Sequence, residues 1–71
     1  MQTIEFHLEG EYIELTQLLK AVNIAQTGGH AKIIVEEGAV VREGEVETRK
    51  RAKIRRGEEI KVEDELIIKV V

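Results

Sequence analysis

Within the stretch VETRKRAKIRRGEE, residues 46–59, six of the eight residues from Arg49 to Arg56 are Lys or Arg and none is acidic. Side chains of one sign at this density attract a polyanion. Between Arg42 and Arg56 lie seven of the eleven basic residues and three acids, a local net of +4. The chain as a whole carries -3, so the remainder carries -7. Such a separation of charge orients one face toward an anionic partner. The plainer reading is a solvated, salt-bridged surface, but in such a surface the two signs interleave. The segregation favours an anion-binding face, with Arg42, Arg49, Lys50, Arg51, Lys53 and Arg55 as its candidate residues.

A second candidate is TGGHAKIIVEEG, residues 27–38. Thr27 suits an N-cap, Gly28 and Gly29 open a helix there, and His30 falls in its first turn. The free N–H groups and the dipole of a helix start favour an anion, and two glycines let one approach closely. Equally, the glycines fit a tight turn between helices. His30 is expected to cap the helix or to contact a ligand. Gly-His-Ala-Lys is not a phosphate-binding loop, which needs Gly, four residues, then Gly-Lys-Ser/Thr after a buried strand.

Other chemistry finds little support. His7 and His30 are the only histidines and there is no cysteine, so neither a metal site of regular spacing nor a Ser-His-Asp or Cys-His arrangement can be assembled. The carboxylate pairs fall at a helix end and in turns, as solvated residues do. No enzyme, cofactor, metal or small-molecule substrate is expected. One Phe and one Tyr leave Tyr12 as the sole candidate stacking platform. A nucleic-acid ligand would then be held by phosphate contact and shape, which favours a duplex or folded RNA.

The elements that must position these residues are short. A chain of 71 residues forms one domain with a small core, burying ~60% of its unfolded surface. No apolar run approaches the ~20 residues that span a bilayer. The opening MQTIEFHLEG lacks the basic head and apolar core of a secretory signal, so a soluble cytoplasmic protein is expected. Thr3 to Leu8 alternates, with Ile4, Phe6 and Leu8 on one side, as a half-buried strand does. Ile13, Leu15, Leu18, Leu19 and Val22 then recur at helical spacing, with Asn23 a suitable end. In the second helix Ala31, Ile34 and Val35 share a face, and Gly38 suits its left-handed C′ position. Beyond it come short runs of branched residues punctuated by turns at Glu43-Gly44, Arg56-Gly57 and Glu63-Asp64. The predicted order is β-α-α-β-β-β-β: an α+β fold of two short helices on a small, mainly antiparallel sheet. The first and last strands are candidates to pair.

Residues 13–57 resemble the alpha-L RNA-binding domain, named for the fourth protein of the small ribosomal subunit and found in some tRNA synthetases and pseudouridine synthases. That family reads small-Ser-Ser-Arg-x-x-Ala-Arg at the start of its second helix. Apolar residues follow, then Gly-x-Val-x-Val-Asn-Gly and a later Gly. Here AQTGGHAKIIVEEGAVVREG brings Ala25, Thr27, Ala31, Lys32, Gly38, Val40 and Gly44 into register without a gap, and RRGEEI supplies the turn at Gly57. GEVETRKRAKI is similar to the small stand-alone bacterial members, which carry an added N-terminal strand. The resemblance implies RNA against the N-terminal half of the second helix and the loop after the next hairpin, hence Thr27, Lys32 and Arg49 to Arg51. Three departures stand out: Gly28 replaces an Arg, and Arg42 and Glu43 replace Val and Asn.

Together these readings predict a non-catalytic module that recognises folded RNA, ribosomal RNA among the candidates, and has no membrane role. The alternative is a small adaptor whose basic loop docks on an acidic protein.

Overall fold

The computed structural model describes residues 2–71. Two strands come first, β1 (Gln2–Phe6) and β2 (Ile13–Glu14). Two helices follow, α1 (Leu15–Ala21) and α2 (Gly28–Glu36). The rest is β3 (Val40–Arg42), β4 (Glu45–Val46), β5 (Lys53–Ile54), β6 (Glu59–Val62) and β7 (Leu66–Val70). Five strands form one sheet in the order β1-β7-β6-β3-β4, with β2 and β5 a separate antiparallel pair. Among the described residues only β1 and β7 pair in parallel; the remaining ladders are antiparallel. The α+β class is as the sequence predicts, and the first and last strands do pair. Two details differ. Ile13-Glu14 is a strand rather than the start of the first helix, because it pairs with Ile54 and Lys53. The EVET and AKI runs belong to different sheets, separated by the basic loop.

Local chemistry explains where the helices stop. Thr27 caps α2, its hydroxyl accepting the His30 N–H at 3.0 Å. At the other end Gly38 has φ +77°, and the Gly38 and Ala39 N–H groups donate to the Val35 and Ile34 carbonyls. That paired arrangement is a Schellman motif, which satisfies carbonyls a helix end leaves open. Asn23, at φ 64°, ends α1 in the same way, with Asn23 and Ile24 donating to Lys20 and Leu19. The start of α1 has no side-chain cap. Instead the Leu15 and Thr16 N–H groups donate to the carbonyls of Ala52 and Lys50, at 2.9 and 3.2 Å. The basic loop itself therefore caps the first helix.

The core gathers Leu15, Leu18 and Leu19 of α1 and Ala31, Ile34 and Val35 of α2 over Val40, Ile60, Val62, Ile68 and Val70 of the sheet. Two-residue alternation places Val40 and Arg42 on the same, helix-facing side of β3. Register confirms it, since Arg42 continues the row Ile4–Ile68–Ile60. A guanidinium thus stands where an apolar side chain is expected.

The β3–β4 turn keeps the two-residue form despite Glu43. Arg42 pairs with Glu45, and Glu43 and Gly44 have φ of 53° and 81°. Both residues are left-handed, the type I′ condition that favours Asn-Gly. A Glu there carries strain that Asn does not. Glu43→Asn should therefore stabilise the protein by about 0.5–1 kcal/mol, raising Tm by a few degrees. A Tm that is unchanged or lower would show that the turn carries no such strain.

Candidate nucleic-acid interface

Arg42 organises the basic loop from beneath. From its place on the helix-facing side of β3 its Nε donates to Glu58 Oε1 at 2.6 Å and its Nη1 to Glu47 Oε2 at 3.4 Å. Its Nη2 donates to the Lys53 carbonyl at 3.0 Å. These contacts tie β3 to the start, middle and end of the loop. A cation at the edge of a core must be neutralised, because desolvating it alone costs several kcal/mol. Glu58 provides most of that and Glu47 the rest, and together they raise the Arg42 pKa.

Glu47 is the one charged residue among the described residues that is buried. Besides Arg42, its carboxylate accepts the Arg49 backbone N–H at 3.1 Å, Nε at 3.0 Å and Nη2 at 3.3 Å. Hydrogen bonds from Arg49 hold its pKa at about 2, against the cost of burial. Glu58 likewise accepts the Arg55 backbone N–H at 2.6 Å. Two carboxylates therefore shape a loop whose outward residues are nearly all cationic.

Outside that frame the cations meet acids from distant parts of the chain. Lys50 Nζ lies 2.6 Å from Glu36 Oε1 at the end of α2, and Arg51 Nε 3.2 Å from Glu14 Oε2 before α1. Lys50 lowers the Glu36 pKa, with a smaller contribution from Lys32 one helical turn earlier. The segregation of charge along the sequence is thus partly undone in space. These pairs are open to water, which screens them and leaves little net stabilisation. Arg51 keeps 84% of its side-chain surface exposed and Arg49 72%. Both remain available to a stronger anion.

Arg42, Arg49, Arg51, Ala52, Lys53 and Arg55 line one open depression of about 440 Å³. Five cations and no acid face it. Lys50 points instead toward α2. Arg55 has no ion-pair partner among the described residues, nor has Lys32, which is exposed on α2. Arg56, though part of the same run, turns away and donates to the Leu8 and Gly10 carbonyls, fastening the loop to the segment after β1.

The helix start lies at the far end of α2. Gly28 is about 12 Å along the axis from Glu36, at 1.5 Å per residue. The two candidate regions are joined by the exposed stripe through Lys32, not by direct contact. His30 serves the cap: its Nδ1 accepts the Gln26 N–H at 3.4 Å. The Gly28 and Gly29 N–H groups have no partner among the described residues. Neither glycine needs its conformational freedom, since neither has a positive φ, and a Cβ would meet nothing within 4 Å at Gly28 and only Thr27 Oγ1, at 3.8 Å, at Gly29.

The cations are legible in the sequence, but the acids that arrange them are not. Glu14, Glu36, Glu47 and Glu58 are spaced like ordinary surface residues, and no local signal marks them. Among the described residues no group of three or more His, Cys, Asp or Glu could hold a metal ion. No helix among them is long and apolar enough to cross a membrane.

Comparison with known proteins agrees with this architecture. The chain is 45% identical over 49 residues to a protein of Escherichia coli (strain K12) named "Putative RNA-binding protein YbcJ", covering 69% of this chain and 70% of that one. It matches "Uncharacterized protein YbcJ" of Shigella flexneri at the same identity and coverage. A family model described as "S4 domain" matches residues 6–71, which extends the resemblance at residues 13–57 to include the end of β1 and the two final strands. On the strength of that match, the chain belongs to the S4 domain family.

Proposed function

We propose that this protein is a non-catalytic, cytoplasmic RNA-binding module that grips folded RNA by its phosphates, with ribosomal RNA the candidate target. One observation carries the reading: the depression faced by Arg42, Arg49, Arg51, Lys53 and Arg55 with no acid in its lining. Cations fixed around a concavity suit closely arrayed phosphates, which a folded RNA presents and an extended strand does not. Planar guanidiniums, which supply three of the four besides Arg42, bind phosphate in a bidentate fashion. Arg42 positions the others, since all its contacts are already to the protein. Thr27 and His30 hold the start of α2, where the Gly28 and Gly29 N–H groups meet a further phosphate. Lys32 and Lys50 extend the surface between the two regions. The name of the Escherichia coli relative supports the same ligand class.

Scarce aromatic rings bear on what kind of RNA is held. Stacking contributes about 1–3 kcal/mol per base in proteins that grip single strands, and a chain with one exposed ring cannot grip a strand that way. A hairpin should bind several-fold more tightly than polyuridine of equal length. Shuffling the hairpin sequence while keeping its pairing should change affinity less than about twofold, because the deep groove of an RNA duplex hides its bases. An acidic polypeptide of equal charge serves as the fourth competitor. Polyuridine winning would overturn the folded-RNA reading, and the polypeptide winning would favour an adaptor that docks on an acidic protein.

A further inference from the structure

Tyr12 stands outside the core, 42% exposed, just before β2. It lines a second open depression of about 440 Å³, with Phe6, His7, Glu9 and Gln17 among its neighbours. Lys53 Nζ lies 5.0 Å from the centre of the Tyr12 ring. Lys53 also lines the basic depression described above. The short β2–β5 ladder, in which Glu14 pairs with Lys53 and Ile13 with Ile54, is therefore the divide between the two. Lys53 borders both.

The two sides differ in chemistry. The first offers cations alone. The second offers a ring, apolar carbons and a few hydrogen-bonding groups, with Glu9 as an acid that repels phosphate. A nucleotide crossing the divide is sorted by these charges: its phosphate stays with the cations and its base enters beside the ring.

We propose that the Tyr12 depression receives a single unpaired nucleobase of the bound RNA, stacked on the ring face that Lys53 does not cover, while the attached phosphate rests at Lys53. The proposal rests on the RNA-binding reading and deepens it. One ring accepts one base, so the site selects a bulged or looped nucleotide within a folded RNA rather than a strand. His7, Glu9 and Gln17 are the groups able to meet the base edge, as unpaired bases are commonly read.

Two hairpins test this with the full chain: one fully paired, the other carrying 2-aminopurine as a single-nucleotide bulge. The bulged hairpin should bind at least about fivefold more tightly, the lower end of what one stacked base contributes. Its fluorescence should be quenched on binding, as stacking requires. Tyr12→Ala should abolish both the preference and the quench and leave affinity for the paired hairpin unchanged. Tyr12→Phe should retain both effects. Equal binding of the two hairpins by the unaltered protein overturns the proposal, and so does a Tyr12→Ala variant that weakens both alike. If neither hairpin binds at all, the RNA-binding reading itself fails, and this site with it.

Discussion

Replacing Glu47 by Gln should cost about 2–3 kcal/mol of stability at neutral pH, and the cost should disappear in strong acid. The carboxylate titrates at about 2 in the folded protein against an ordinary 4.5. Each unit of pKa difference corresponds to about 1.4 kcal/mol, and partial exposure of its partner Arg49 trims the total. The sign follows from proton counting. Between those two values the unfolded chain binds the proton and the folded one does not, so unfolding gains as pH falls. The contribution is fully present above 4.5 and is lost as pH drops through about 2. For a domain this small, whose whole stability is of order 5 kcal/mol, that is a large share. Glutamine keeps the size and one acceptor but cannot answer the guanidiniums of Arg42 and Arg49. The Tm at pH 7 should fall by about 10 °C or more. Melting curves of both proteins from pH 7 to pH 2 should converge at the acid end. A constant difference across that range would mean that Glu47 contributes packing rather than charge.

Neutralising Lys50 and Arg51 together should produce a large change in RNA binding. If four or five phosphates are engaged, log affinity falls with log salt at a slope of about -3 to -4. Loss of two cations should reduce that slope by about 1 to 2 and lower affinity at least tenfold at moderate salt. The variant leaves Glu36 and Glu14 without their partners, so two uncompensated acids face the RNA and add to the loss. Glutamine is the right replacement: a glutamate at position 50 or 51 would stand against Glu36 or Glu14 and displace the loop. Stability should change little, because both cations form exposed pairs. Titrations at several salt concentrations, beside thermal melts, separate these effects. A slope unaltered by the double substitution would remove the loop from the interface.

What the sequence alone determined lies within a few residues along the chain. The Thr27 cap, the left-handed ends at Asn23 and Gly38, the Glu43-Gly44 turn and the apolar faces of both helices all depend on hydrogen bonds or periodicities spanning five residues or fewer. Each is written in the residues that form it, and so the α+β class and the position of the basic loop were legible. Glu43 in place of the family's Asn did not alter its turn, since the strands on either side impose the backbone angles.

The state of the cations was not legible, because their partners are remote. Arg42 reaches Glu58 across 16 residues, Arg51 reaches Glu14 across 37, and Arg56 reaches Leu8 across 48. Only the tertiary structure decided that Arg42 would face inward, that Arg56 would fasten the loop and that Lys50 would rest on Glu36. It also decided the strand at Ile13-Glu14, which two residues cannot form without the partner β5. A run of positive charge read in one dimension is an attraction without a direction. Folding gives it one by choosing which acids lie beneath the loop and which cations are left to face outward.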